Sequence, residues 1–132
     1  MTGDCLDTLE ITPDPAELSR MREFIRHNAS RYGLEESERF RAQLVATEAV
    51  TNAIRHGTQP EGDGAPIAVT CRCDDHGFMI EVGDRGRFRH REPSHAEDTS
   101  GRGLRLIERF TNRFDLETSN DGTRLRMLVE AA

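Results

Sequence analysis

A β-hairpin predicted over residues 66–83 limits the fold of this chain more than any other feature. Its strands, Pro66–Asp74 and Phe78–Gly83, flank the turn sequence Asp75-His76-Gly77. Because side chains alternate between the faces of a strand, Phe78, Ile80 and Val82 share one apolar face. A sheet with one apolar face needs a second layer to cover it.

Two helices predicted before the hairpin supply that layer. The first is expected from Pro15, behind the N-cap residue Asp14, to about Tyr32. The second is expected over residues 35–56. Its apolar stripe consists of Ala42, Val45, Ala46, Ala49 and Ala53.

The other predicted elements complete one sheet. A strand is expected at Cys5–Thr12, and a helix over about Arg102–Asn112 leads to strands at Phe114–Thr118 and Thr123–Val129. Residues 85–100 are charged and lack periodicity, which indicates a long loop of the kind that forms lids. This order predicts a two-layer α/β sandwich, with helices on one face of a mixed, mostly antiparallel sheet.

Length and charge argue against several classes of protein. The 132 residues have room for a single domain, 1–132. No run approaches the ~20 apolar residues of a membrane helix, and the first ten residues lack a signal peptide's features, so no membrane contact and a cytoplasmic location are expected. The formal net charge of −6 opposes direct nucleic-acid binding. All 18 basic residues are arginine, so a nucleotide site cannot use a P-loop lysine.

The cysteines and histidines predict neither a disulfide framework nor a metal site. Cys5, Cys71 and Cys73 are odd in number and form no C-x-x-C pair. Cys71 and Cys73 share a strand face with apolar residues and are interpreted as core cysteines. The histidines lack the spacing of zinc ligands.

The second predicted helix carries a polar pair beside its apolar stripe. Glu48 and Asn52 are four residues apart, or about 40° around the helix. Half-buried polar groups need partners, because each one left unpaired costs on the order of 1–3 kcal/mol. Taken alone, the pair fits a structural bridge to a neighbouring strand as well as a functional site.

Three more features lie where predicted strands and helices begin or end. Asp84 ends the apolar row of the hairpin, where it would form a turn or accept a hydrogen bond from a buried amino group. Gly101 and Gly103 flank the start of the third helix, where they would expose N–H groups to an anion or act as a hinge. Gly122-Thr123 is the weakest signal, since a turn explains it equally well.

Together these features resemble the nucleotide-binding boxes of the histidine-kinase-like (GHKL, Bergerat-fold) ATPases, above all the bacterial anti-sigma-factor serine kinases. The matching segments are Glu48-x-x-x-Asn52 continued to His56-Gly57 (N box), Asp84-Arg85-Gly86 (G1 box), Gly101-Arg102-Gly103-Leu104 (G2 box) and Gly122-Thr123. The resemblance extends from Asp14 to the C-terminus. One departure lies in the G1 box, Asp84-Arg85-Gly86-Arg87-Phe88, which lacks the family's second glycine.

The resemblance implies a role for each motif. Asp84, with Gly86, would accept a hydrogen bond from the adenine amino group, and Asn52 would bind Mg²⁺ together with the ATP phosphates. Glu48 would be the catalytic general base. The other positions that the resemblance places at the nucleotide are His56, Gly101, Arg102, Gly103, Leu104 and Thr123.

The resemblance also implies an anti-sigma factor with ATP-dependent serine kinase activity towards an anti-anti-sigma (antagonist) protein. In such partner switching, the unphosphorylated antagonist competes with a sigma factor for the kinase, and a homodimer is the family's precedent. Because the G1 box is altered, a non-catalytic ATP-binding scaffold stays open as an alternative. A hydrolytic ATPase fits less well, since no transducer segment is recognised. The first helix is either a docking face for an acidic partner or a solvated charged face, and its arginines are Arg20, Arg22, Arg26 and Arg31.

Overall fold

A computed structural model describes residues 5–57, 64–84, 105–119 and 122–130. The strands are β1 (Cys5–Ile11), β2 (Ile67–Asp74), β3 (Gly77–Asp84), β4 (Arg113–Ser119) and β5 (Gly122–Val129). The helices are α1 (Leu18–Tyr32), which follows a 3-10 turn at Pro15–Glu17, and α2 (Glu36–Gly57). Residues 105–110 are helical as well (α3).

The five strands form one sheet in the order β1-β2-β3-β5-β4. The predicted two-layer α/β sandwich is confirmed, but each pairing among the described strands is antiparallel. The parallel component of the predicted mixed sheet is therefore wrong for these strands. The reason is that two helices connect β1 to β2, and the second reverses the direction that a single crossover helix would give.

Local capping sets the bounds of α1 as the sequence predicts. The Asp14 carboxylate accepts a hydrogen bond from Ala16 N at 2.9 Å, although the first turn, Pro15–Glu17, is 3-10 rather than α. Gly33 ends the helix with a φ of 104°, a left-handed conformation that favours glycine. Among the described helices, none combines the length and apolar character needed to cross a membrane.

The core lies between the helices and one face of the sheet. Met21 and Ile25 of α1, Val45 of α2, and Phe78 and Ile80 of β3 are all fully buried there. The opposite face of the sheet, called the open face below, is mainly polar. The helical layer consequently covers the apolar face of the hairpin, as predicted.

The end of α3 differs from the prediction. The described helical residues stop at 110, whereas the sequence predicts a helix to about Asn112. Asn112 instead joins the sheet, because its N–H donates to Leu128 O at 2.8 Å and its side-chain Oδ1 accepts from Glu130 N at 2.8 Å. Pairing with β5 thus replaces the last helical turn.

The cysteines also differ from the prediction, because Cys5 and Cys73 form a disulfide. The two residues lie directly opposite each other in the β1–β2 register, with their Cα atoms 4.7 Å apart. They are 68 residues apart in sequence, so their proximity appears only when the strands are paired. Cys71 is free and buried, as predicted for a core cysteine.

Candidate functional site

The candidate site lies at one end of the sheet, on the face that the helices cover. Asp84 is the last residue of β3 and pairs with Thr123 of β5 on one side and with Ile67 of β2 on the other. Strand alternation puts Asp84 on the same face as the buried residues Ile80 and Val82. The half-buried carboxylate therefore closes the apolar row, where the sequence predicts it.

Thr123 places a second polar group at this end of the sheet. Its Oγ1 atom is buried and has no hydrogen-bond partner within the described parts of the chain. A buried hydroxyl without a partner is destabilising by about 1–3 kcal/mol. Most buried polar atoms have partners, and Thr123 Oγ1 shares this lack with Asn28 Oδ1 of α1 among the described residues. Thr123 differs from Asn28 in lying opposite Asp84, where a ligand could hydrogen-bond to it.

The polar pair of α2 belongs to the helical layer that covers this face. Glu48 and Asn52 are half-buried and flank the buried residues Ala49 and Ala53, as the helical spacing predicts. The helix packs on both β3 and β5, the strands that carry Asp84 and Thr123.

Glu48 and Asn52 do not bridge to a neighbouring strand within the described residues, which was the structural alternative that the sequence allowed. Within residues 5–57, 64–84, 105–119 and 122–130, Glu48 and Asn52 make no hydrogen bond or ion pair to one another or to a strand. With no polar contact to the described strands, these two half-buried side chains can hydrogen-bond to a ligand.

The rest of the predicted site falls outside the described residues. These positions are Gly86, Gly101, Arg102, Gly103 and Leu104, together with the predicted loop at residues 85–100. The backbone of His56 belongs to the last turn of α2. The structure therefore brings together Asp84 and Thr123, and it places Glu48 and Asn52 on the helix that packs on their strands.

A metal ion held by protein groups alone does not fit the described residues. They contain no cluster of three or more histidine, cysteine, aspartate or glutamate side chains that could hold one. Magnesium is bound differently, since it usually takes one or two protein oxygens and completes its shell with water and substrate phosphates. The side-chain oxygen of Asn52 suits that kind of site.

The open face of the sheet carries a charge network that sequence reasoning missed. Arg126 Nε lies 2.9 Å from Glu81 Oε1, and Arg124 Nε lies 3.6 Å from Glu81 Oε2. The hydrogen bond to Glu81, and next the negative charge of that carboxylate, raise the pKa of Arg126. These side chains lie on the face opposite Asp84, so they are not part of the candidate site. Only the β3–β5 register, which pairs Glu81 with Arg126, identifies them.

The predicted basic face of α1 is largely neutralised within the chain. Arg20 pairs with Glu17 at 3.1 Å, Arg31 pairs with Asp7 at 3.4 Å, and Arg26 pairs with Glu23. The remaining arginine of this face, Arg22, donates to Thr47 Oγ1 at 3.4 Å. These contacts favour a solvated charged face over a docking face for an acidic partner.

Comparisons with known proteins agree with the fold and with the family that the motifs resemble. The sequence matches the family described as the histidine kinase-like ATPase domain over residues 11–129. It is similar to an anti-sigma F factor of Heyndrickxia coagulans, with 32% identity over 95 residues, covering 64% of this chain and 65% of that protein. The chain thus spans slightly less than two thirds of that relative. Its fold is similar to the crystal structure of the RsbU and RsbW domains of Rv1364c from Mycobacterium tuberculosis, with a TM-score of 0.70 and 19% identity, over 94% of this chain and 32% of that one.

Proposed function

The chain belongs to the histidine kinase-like ATPase domain family, and we propose that it is an anti-sigma factor that uses ATP to phosphorylate a serine of an antagonist protein. The observation that carries the proposal is the buried Thr123 hydroxyl, which has no partner in the described structure and lies opposite Asp84. Family membership supports ATP as the ligand that binds at this end of the sheet.

The two strand residues would recognise the base of the nucleotide. The Asp84 carboxylate accepts a hydrogen bond from the adenine amino group, and the Thr123 hydroxyl forms a second hydrogen bond beside it. Burial of the Thr123 hydroxyl strengthens the second contact, because a hydrogen bond is stronger in a low-dielectric interior than in water. Gly86, next to Asp84 in the chain, completes this part of the proposed site.

The polar pair of α2 would act on the phosphates and on the acceptor. Asn52 is the proposed protein ligand of Mg²⁺, and His56, four residues later in the sequence, is proposed to contact the nucleotide as well. The G2 box, Gly101-Arg102-Gly103-Leu104, is proposed to bind phosphate through its N–H groups. Magnesium, when bound, neutralises charge on the phosphoryl oxygens.

Glu48 is the proposed general base of the transfer step. Its carboxylate takes the proton from the serine hydroxyl as that oxygen bonds to the γ-phosphorus of ATP. The bond from that phosphorus to the bridging oxygen breaks, and ADP leaves with the bond's electrons. Positioning and charge neutralisation supply most of the catalysis in phosphoryl transfer, and one positioned base adds a typical 10²–10⁴-fold.

The proposed partners follow from the anti-sigma F factor to which the chain is similar. They are a sigma factor, which the protein sequesters, and an anti-anti-sigma antagonist, which the protein phosphorylates and which competes for it when unphosphorylated. We also propose a homodimer that acts in the cytoplasm, without direct contact to nucleic acid or membrane. The net charge of −6 supports the part of this proposal that concerns nucleic acid.

A non-catalytic scaffold is the second candidate, and one sequence observation favours it. The G1 segment reads Asp84-Arg85-Gly86-Arg87-Phe88 and lacks the second glycine of the family pattern. A protein of this kind would bind ATP and sequester its partner without transferring phosphate.

Incubation with γ-labelled ATP, Mg²⁺ and candidate antagonist proteins separates the two functions. The kinase proposal expects label on a serine of the antagonist, located by phosphosite mapping. Nucleotide binding and a stable partner complex without any label on the partner would establish the scaffold instead.

A further inference from the structure

The chain's three cysteines lie together on the helix-covered face of β1 and β2. Cys5 and Cys73 are bonded, and Cys71 lies two residues before Cys73 on the same face of β2. Since β1 is an edge strand, the disulfide fastens the first residue of this edge to its neighbour. The bond joins residues 68 positions apart in sequence, and the segment between them includes both α1 and α2.

We propose that Cys5 and Cys73 form a reversible redox site, which a dithiol reductant opens to release the start of β1 and a disulfide oxidant closes. The proposal concerns a part of the protein remote from the nucleotide site and does not depend on nucleotide binding.

The geometry permits one pairing among the three cysteines. Cys5 and Cys73 are direct cross-strand neighbours, and their Cα separation of 4.7 Å lies within the range of disulfides. Cys71 is diagonal to Cys5, and diagonal neighbours in a sheet lie about 7–8 Å apart, which a disulfide cannot span without backbone movement. Residues two apart on one strand, such as Cys71 and Cys73, are separated by a similar distance.

Cys71 is also chemically unsuited to exchange. Its side chain is fully buried, at 0% exposure. Burial, and next the negative charge of Asp7, raise the pKa of Cys71 to about 12, so the reactive thiolate is scarce at neutral pH. It therefore serves as an internal control for the other two cysteines.

Solvent exposure determines which sulfur of the disulfide a reductant attacks. Cys73 is 1% exposed, whereas Cys5 is half-buried at the start of the edge strand. A thiolate of the reductant bonds to Cys5 Sγ, and the Cys5–Cys73 bond breaks with its electron pair on Cys73 Sγ, which takes up a proton. The second thiol of the reductant then displaces Cys5 as a thiol, and the reductant leaves as a disulfide. Oxidised glutathione drives the reverse reaction and is converted to two reduced molecules.

Reduction would loosen the first residues of β1, because few other side-chain contacts hold them. Leu6 is 63% exposed. The Arg31–Asp7 pair joins side chains that are 60% and 47% exposed, and such a pair contributes little. The next anchor along the strand is the Thr8–Thr70 hydroxyl contact at 3.1 Å.

The C-terminal end of β1 lies in the same cross-strand row of the sheet as Asp84 of the proposed nucleotide site. Ile11 pairs with Ile67, which in turn pairs with Asp84. Six residues separate Cys5 from Ile11, or about 20 Å of strand. Redox change at Cys5 is therefore expected to alter the edge of the sheet and to spare nucleotide affinity.

The full chain is equilibrated in glutathione buffers from fully reduced to fully oxidised, quenched with acid and alkylated under denaturing conditions. Mass spectrometry should count three alkylated thiols in the reduced form and one, Cys71, in the oxidised form. The oxidised form should melt higher by on the order of 10 °C. Amide exchange of residues 5–7 should speed up on reduction, and Kd for nucleotide should stay the same in both forms.

Alanine variants of the three cysteines test whether Cys5 and Cys73 alone are responsible for the redox response. Cys5→Ala and Cys73→Ala should each abolish the redox dependence of the melting temperature, whereas Cys71→Ala should retain it. Three alkylated thiols at every glutathione ratio, a mapped bond that involves Cys71, or a disulfide that dithiothreitol cannot reduce in the folded protein would each overturn the proposal.

Discussion

Asp84, at the end of β3, lies directly opposite Thr123 of β5 on the helix-covered face of the sheet. The first residue contributes a carboxylate acceptor, and the second contributes a buried hydroxyl that lacks a partner among the described residues. A ligand that presents an amino group at this end of the sheet can donate a hydrogen bond to the carboxylate and bring a partner to the Thr123 hydroxyl. Adenine is such a ligand, and guanine presents a carbonyl at the same position.

Replacing Asp84 tests base recognition. Asp84→Ala removes a charged acceptor, so ATP binding should weaken by about 1.5–3 kcal/mol, or roughly 10- to 150-fold in Kd. Calorimetric titration measures the change. Asp115→Ala, which removes a 66% exposed carboxylate on the open face, is the control and should bind ATP normally. Equal affinity of the unmutated protein for ATP and GTP would remove Asp84 from this role.

Replacing Thr123 separates a ligand contact from a structural one. Thr123→Val keeps the shape of the side chain and removes a hydroxyl that has no partner in the described structure. The nucleotide-free protein should therefore be as stable as the unmutated protein or more stable, while Kd for ATP rises roughly 2- to 10-fold. Thr70→Val, which breaks the hydroxyl contact with Thr8 on the open face, should leave Kd unchanged. A large fall in melting temperature with Thr123→Val would instead indicate a structural hydroxyl.

The two polar residues of α2 should respond differently to substitution. Asn52→Ala removes the proposed magnesium ligand, so both Mg²⁺-dependent ATP affinity and phosphotransfer should be lost. Glu48→Gln keeps the shape of the side chain and removes the base, so ATP affinity should persist while transfer falls roughly 10²–10⁴-fold. Single-turnover transfer to the antagonist measures the difference. A normal transfer rate with Glu48→Gln would exclude Glu48 as the base.

Alkaline pH should destabilise the protein through Cys71. Burial and the facing Asp7 raise the pKa of this thiol from 9.0 to about 12 in the folded state. Above pH 9 the unfolded chain loses this proton and the folded protein keeps it, so stability falls as pH rises towards 12. Between pH 8.5 and 10.5 the loss of unfolding free energy due to Cys71 should be about 2 kcal/mol. Denaturant titrations across this pH range should show the loss in the unmutated protein and not in Cys71→Ala. Parallel pH profiles of the unfolding free energy for the two proteins would contradict the prediction.

Local signals in the sequence were sufficient to predict most of the helices and strands. Asp14 and Gly33 cap α1 where the sequence predicts, because capping depends on residues within one turn of the helix end. Strand alternation likewise predicts the face on which Asp84 lies. Each of these predictions needs only the chemistry of neighbouring residues.

Features that depend on register could not be predicted in this way. The Cys5–Cys73 disulfide and the Glu81–Arg126 ion pair join residues that are remote in sequence and become neighbours only when strands are paired. The antiparallel β1–β2 pairing depends on the path of two helices, which no single segment encodes. Thr123 became a candidate through resemblance, and its buried hydroxyl, which has no partner within the described segments, supports that proposal.

The most direct test of the central claim is calorimetric titration of the full chain with ATP in the presence and absence of Mg²⁺. We expect saturable binding of one nucleotide per chain that is tighter with Mg²⁺. The melting temperature should also rise with ligand concentration, as binding to the folded state requires. Absence of both binding heat and stabilisation at millimolar ATP and Mg²⁺ would contradict the assignment of an ATP site to Asp84, Thr123 and the α2 pair.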